Sequence, residues 1–170
     1  MDIVRALLDG VALAAIFNGA AAVLVLINPR YLMDSYPKDI QKAAPQSMTE
    51  KEKKINLIFM SVTVGICCFY AVLSAIHSGV RGFWALFWMG YINWTVVNFA
   101  DLFLLDYILF QKFTKFVIIP GTEGHPIYEK TNWMKKFAFP EHFILWPLVQ
   151  IPILSLIQTA LCMLIQWILG

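Results

Sequence analysis

Apolar residues are gathered in four long segments of the chain, and the polar residues lie mainly in the connections between them. The segments cover residues 3–27, 55–76, 83–110 and 143–168. About 20 consecutive apolar residues cross the roughly 30 Å hydrocarbon core of a bilayer, and every segment reaches that length. Since unpaired strand edges cannot lie in lipid, the pattern predicts an all-α integral membrane protein. We expect a four-transmembrane-helix bundle, formed by residues 1–170 as a single membrane domain.

The composition supports this class and excludes others. Of the 170 residues, 59% are hydrophobic and 14% are charged, whereas about 25% of a soluble domain is charged. The formal net charge of +2 gives no reason to expect a nucleic-acid partner. The three cysteines, Cys67, Cys68 and Cys162, all lie in apolar segments, which favours packing residues over a disulfide framework or a zinc site. The predicted partner is the lipid bilayer.

The connections between the segments differ in length and composition. Residues 28–54 and 111–142 form long polar connections, and residues 77–82 form a tight turn. Thr49 followed by Glu52 matches a capping box, so the second helix is predicted to begin before its apolar segment. The second long connection mixes aromatic residues with lysines, a composition typical of amphipathic segments at the headgroup level.

Lysine and arginine are distributed unevenly between the two sides of the predicted bundle. Eleven of the 13 lie in the two long connections or at their ends, and only Arg5 and Arg81 lie on the other side. Basic residues favour the cytoplasmic side of a membrane, so the pattern predicts cytoplasmic long loops and outside termini in the cytoplasmic (inner) membrane. Because four helices enclose little space, we also expect a homo-oligomer.

The third apolar segment contains two acidic residues, Asp101 and Asp106, and no other charge. A central aspartate costs about 2.5–3.5 kcal/mol on insertion scales, whereas an interhelical hydrogen bond returns about 0.6 kcal/mol on average. The two aspartates therefore indicate a functional site. At about 100° per residue they share one helical arc with Thr95 and Asn98, and Gln158 belongs to a polar stripe of the fourth segment. These five residues are the predicted site for an ion or a small polar solute.

A second set of polar residues lies in and after the second long connection. Glu123 and His125 stand in the loop, and Glu141 and His142 precede the fourth segment. Their side chains are of the kinds that bind metals or transfer protons, although their spacing is not that of H-E-x-x-H. They are weak metal candidates, and no cofactor follows from the sequence.

Two prolines interrupt the first half of the fourth segment. Pro147 and Pro152 each remove a backbone donor, which in an α-helix frees the carbonyl four residues earlier. The freed carbonyls are thus expected at Phe143 and Leu148.

In length, topology and the loop Pro120-Gly121-Thr122-Glu123-Gly124, the chain resembles small bacterial four-pass inner-membrane proteins without an assigned activity. This resemblance implies a fold and a location and assigns no site residue. Our leading hypothesis is a small membrane transport or channel protein that binds a proton, a cation or a small polar solute at an intramembrane carboxylate site open to the cytoplasm. The alternatives are a membrane-embedded enzyme acting on a lipid or isoprenoid substrate at the cytoplasmic interface, and an accessory subunit of a larger membrane complex.

Overall fold

The computed structural model describes residues 2–169, so Met1 and Gly170 lie outside the described part of the predicted domain. Regular structure in residues 2–169 is entirely helical, which confirms the all-α prediction. The helices are α1 (Ile3–Ile27), α2 (Lys38–Ala43), α3 (Glu50–His77), α4 (Phe83–Lys112) and α5 (Lys130–Leu169). All of them except the short α2 are long and apolar enough to cross a membrane.

Two helices begin earlier than their apolar segments do. α3 begins at Glu50 because the capping box forms: Thr49 Oγ1 accepts from the Glu52 N–H at 3.2 Å, and Glu52 Oε2 accepts from the Thr49 N–H at 2.7 Å. α5 begins at Lys130, so the aromatic and lysine residues before residue 143 are helical as well. Apolarity alone underestimates a helix whose first turns lie outside the apolar segment.

The long helices form a bundle in which α4 packs between α1 and α5, and α3 contacts α1 and α5 on the other side. Two glycines allow the close approach to α4. A Cβ atom at Gly10 would lie 2.7 Å from the Cβ of Val96, and one at Gly90 would lie 3.2 Å from the Cα of Ser155. Small residues at such crossings let helix backbones pack closely.

The two ends of the bundle differ. At the turn end, residues 78–82 join α3 to α4; at the loop end, the long connections fold back over the helices. We call residues 29–48 and 114–138 the cap. Its apolar core joins both connections to the start of α5 and includes Tyr36, Ile119 and Trp133.

An arginine fastens the cap to α3. Arg30 Nε lies 2.7 Å from Glu52 Oε1, and Arg30 Nη2 donates to the carbonyl of Ser47 at 2.9 Å. The charged pair is mostly buried, with 15% and 13% of the two side chains exposed. The cap is therefore held in place over the loop end of the bundle.

Candidate functional site

A chain of buried polar side chains lies beneath the cap. His142 Nε2 is 2.7 Å from Asp106 Oδ2, and His142 Nδ1 is 2.6 Å from Asn98 Oδ1. Trp133 Nε1 donates to the second oxygen of Asp106 at 2.9 Å. Asp106 is 5% exposed, and Asn98 and His142 are each 1% exposed. The helices α4 and α5 are thus joined by a network that is closed to solvent on most sides.

Stretches of π-helix carry two of these residues, Asp106 and His142. They cover Leu102–Leu109, which contains Asp106, as well as Met134–Ala138 and Glu141–Gln150, which contains His142. A π-helix pairs each N–H with the carbonyl five residues earlier, and short π segments occur frequently at functional sites. The Ile151 N–H follows this pattern, since it donates to the carbonyl of Trp146.

The π pairing explains how the two prolines of α5 are accommodated. In π pairing, the N–H that Pro147 lacks would donate to the carbonyl of His142, and the N–H that Pro152 lacks would donate to the carbonyl of Pro147. Both carbonyls are therefore left without a backbone donor. Side chains of α4 take both places: Asn98 Nδ2 donates to the His142 carbonyl at 3.0 Å, and the Tyr91 hydroxyl donates to the Pro147 carbonyl at 3.2 Å. The sequence pointed to the Phe143 and Leu148 carbonyls, on the basis of α-helical pairing; the carbonyls that α4 side chains contact are the preceding ones, His142 and Pro147.

These contacts determine where the protons of the network lie. The Asn98 amide donates to a carbonyl, so its oxygen faces His142 Nδ1 and accepts from it. One oxygen of Asp106 already accepts from Trp133. The remaining contact, between His142 Nε2 and Asp106, therefore holds one proton, carried either by the imidazole or by the carboxyl. In both forms the net charge of the pair is zero.

Asp101 is held differently from Asp106. Its Oδ2 lies 4.0 Å from His142 Nε2, and 15% of its side chain is exposed. Within the described part of the chain its carboxylate makes no hydrogen bond. It lines a cavity of about 220 Å³. Unlike Asp106, Asp101 is thus available to a ligand in the cavity.

The cavity lies between the cap and the bundle. It is lined by Phe17, Ala21, Leu32, Ser35, Tyr36, Met60, Asp101, Leu105, Asp106, Phe110, Trp133, Phe137, Glu141, Trp146 and Gln150. A larger cleft of about 620 Å³ adjoins it, and both are bordered by Ser35, Tyr36, Phe137, Glu141 and Gln150. Burial raises the pKa of Tyr36 well above its usual range, so this wall residue is neutral at physiological pH.

The structure brings part of the predicted site together. Asp101, Asp106 and Asn98 converge, and they are joined by Glu141 and His142, which the sequence grouped with the weak metal candidates. Glu141 lines the cavity and accepts from Trp146 Nε1 at 3.4 Å.

The other predicted residues lie outside this cluster. Thr95 Oγ1 donates to the Tyr91 carbonyl of its own helix at 2.7 Å. Gln158 is buried against Gly90, and neither of its amide atoms has a hydrogen-bond partner among the described residues. Neither residue lines the cavity.

The two loop candidates make local contacts only. Glu123 Oε1 accepts from the Gly121 N–H at 3.0 Å, and His125 Nδ1 accepts from the Ile127 N–H at 3.2 Å. Across residues 2–169 no group of three or more His, Cys, Asp or Glu side chains is placed to hold a metal ion. Neither Glu123 nor His125 lines the cavity that Glu141 borders.

Sequence reasoning missed Trp133 as a partner of Asp106. The residue lies in the lysine-rich aromatic stretch that was predicted to be interfacial, 27 positions away from Asp106. Only the general expectation that a buried indole N–H finds an acceptor could have suggested the contact.

Comparisons with protein-family models, with curated proteins and with solved structures find no match to this chain. What the site can bind or catalyse is therefore inferred from its own residues.

Proposed function

We propose that the chain is a small membrane transport protein that binds a proton and a cation or polar solute at Asp101. The observation that supports this most directly is a carboxylate with no hydrogen-bond partner among residues 2–169, placed in a cavity 4.0 Å from a histidine–aspartate pair that shares one proton. A carboxylate inside a membrane needs neutralising company. A proton and a cationic solute both supply it, so they compete for Asp101.

The His142–Asp106 pair relays the proton in this scheme. Its net charge is zero, and its shared proton lies between Nε2 and Oδ2, 2.7 Å apart. When a cation leaves Asp101, a proton taken up from water replaces it: Asp101 receives a proton from Nε2, and the pair regains its own from the incoming one, so that its net charge stays zero. Asn98 holds the His142 ring in place, because it contacts both Nδ1 and the backbone carbonyl of His142. The solute and the proton are thereby exchanged at one place.

Packing in the middle of the bundle supports a site that is accessible from the loop end. Leu13, Trp94, Trp146 and Ile151 fill this region and are at most 4% exposed. The excess of lysine and arginine at the loop end supports placing that end in the cytoplasm. The conformation then corresponds to a cytoplasm-open state, and transport requires the middle to open.

Reconstitution in liposomes tests this proposal. Liposomes containing the protein and a trapped pH-sensitive dye are given an outward proton gradient, and Na⁺, K⁺ or ethidium is then added outside. We expect one of these cations to accelerate proton movement with the wild-type protein but not with Asp101→Asn. Glu123→Gln, a matched change in the cap, should behave like the wild type. Equal proton movement with Asp101→Asn and the wild type would refute the proposal.

The adjoining cleft favours a second candidate function, an enzyme acting on a lipid at the cytoplasmic interface. Lys38 and Lys136 line this cleft beside Glu141, and a lipid headgroup bound there would lie next to the His142–Asp106 pair, which has the makeup of a general acid–base group. Incubation with a lipid extract, followed by mass spectrometry, tests this. A lipid product formed by the wild type and absent with His142→Gln would favour the enzyme over the transporter.

A further inference from the structure

The cavity next to Asp101 has walls rich in aromatic side chains. Six of its fifteen lining residues are aromatic: Phe17, Tyr36, Phe110, Trp133, Phe137 and Trp146. Four of them are in mutual contact on the cap side: Phe110 stacks on Trp133 with 4.4 Å between ring centroids, and Trp133 contacts Tyr36 and Phe137 at 6.0 and 4.9 Å. Phe17 and Trp146 meet edge to face at 6.0 Å.

The charges of the cavity have one sign. Asp101, Asp106 and Glu141 line it, and no lysine or arginine from residues 2–169 does. Asp106 is balanced by His142, which leaves Asp101 and Glu141. A ligand that enters the cavity therefore gains from carrying a positive charge.

The aromatic walls discriminate between kinds of cation. A strongly hydrated metal ion needs several oxygen ligands at short range, and no group of three or more His, Cys, Asp or Glu side chains among the described residues is placed to hold one. Aromatic faces attract cations through their quadrupole and are the characteristic cage for alkylated ammonium groups. The volume of about 220 Å³ is many times the roughly 10–15 Å³ that a single water molecule needs. That space suits a substituted ammonium head, and a longer body would extend into the adjoining cleft.

We infer that this cavity binds a substituted ammonium group, with Asp101 as its counter-charge and the aromatic rings as its cage. The inference rests on the proposed function in taking Asp101 as the ligand-binding group, and it adds the class of ligand. The ammonium group has two possible sources, a free amine or the choline or ethanolamine head of a lipid. Both present the same chemistry to the cavity.

Binding measurements on the purified full-length protein test this inference. In a maltoside detergent, which carries no ammonium group, tetramethylammonium and choline are titrated while tryptophan fluorescence is recorded, because Trp133 and Trp146 line the cavity. We expect saturable binding that Na⁺ at equal concentration does not displace. A second arm uses nanodiscs of phosphatidylglycerol with or without phosphatidylcholine or phosphatidylethanolamine.

Variants identify the site. Asp101→Asn keeps the shape of the side chain and should weaken binding about 100-fold, since it removes the charge from a poorly hydrated contact. Phe137→Leu should weaken binding about five- to thirtyfold by removing one face of the cage. Phe139→Leu, two residues away on the same helix and outside the cavity, should bind as the wild type does.

The outcomes separate the sources and the hypotheses. Binding of the soluble cations supports the inference with a free amine, and a response only to choline or ethanolamine lipids supports it with a lipid ligand. No response in either arm, displacement by equal Na⁺, or equal weakening by Phe137→Leu and Phe139→Leu would overturn it. Ammonium binding without coupled proton movement would refute the transport proposal alone. Na⁺-coupled proton movement without ammonium binding would refute this inference alone.

Discussion

Asn98 holds His142 at two points, which makes its replacement a direct test of the network. Asn98→Ala removes the acceptor of Nδ1 and the donor to the His142 carbonyl, at 2.6 and 3.0 Å. Measured interhelical hydrogen bonds contribute about 0.6 kcal/mol on average and up to about 1.7 kcal/mol. Two of them give an expected loss of about 1–3 kcal/mol in the free energy of unfolding.

Three buried thiols provide the assay for this loss. Cys67 and Cys162 are 0% exposed and Cys68 is 8% exposed, so a fluorogenic maleimide reacts quickly only after unfolding. Unfolding is driven by increasing the SDS fraction in mixed micelles, and the shift of the midpoint is compared between variants.

The control is Thr95→Ala, one turn away on α4. Thr95 bonds only to the backbone of its own helix, so this change should cost much less than Asn98→Ala. Equal effects of the two substitutions would show that Asn98 does not hold α5 through His142. The reasoning about the π segment and the proton positions would then fail as well.

Three further predictions concern the packing and the cap. Gly10→Ala should lower the free energy of unfolding by about 1–3 kcal/mol, because the new Cβ would overlap α4. Gly19 has open space around it, so Gly19→Ala should raise the free energy of unfolding by up to about 1 kcal/mol. The thiol assay measures both changes. Arg30→Gln removes the ion pair that joins the cap to α3, so proteolysis of residues 29–48 should become about tenfold faster. An unchanged cleavage rate would contradict this. Because burial raises the pKa of Tyr36, its contribution to stability is complete below pH of about 10 and is lost as pH rises further. Tyr36→Phe should remove that part of the decline.

The four long helices could be predicted from the sequence because a run of about 20 apolar residues that crosses a bilayer has to pair its backbone groups within itself. The start of α3 could be predicted too, since Thr49 and Glu52 carry the capping signal within four residues. α-Helical periodicity predicted Asp101 and Asp106 on one arc of their helix; both line the cavity, although the residues between them are π-helical.

The partner of Asp106 could not be predicted in the same way. His142 is 36 residues away, and the contact depends on α5 beginning before residue 143 and on the π segments that turn both side chains. No simple period marks a π segment in a sequence. The prolines indicated an irregular helix. Which carbonyls they leave free depends on whether the backbone pairs four or five residues apart, and the sequence does not show this. The donors to those carbonyls, Asn98 and Tyr91, lie on another helix.

The two glycine crossings have a mechanical consequence for α4. Gly10 locks it against α1, and Gly90 locks it against α5, whereas α3 touches α4 at few places. The three helices packed in this way should move as one rigid block. Any motion of α3 against this block must pivot at α1, where Tyr70 and Ser74 of α3 donate to Asp9. Through Arg30 and Glu52 such a motion would carry the cap with it and so change the access to the carboxylates. If the proposed transport depends on this motion, a cross-link between α1 and α4 should leave it intact and one between α3 and α4 should stop it; the reverse result would exclude this mechanism.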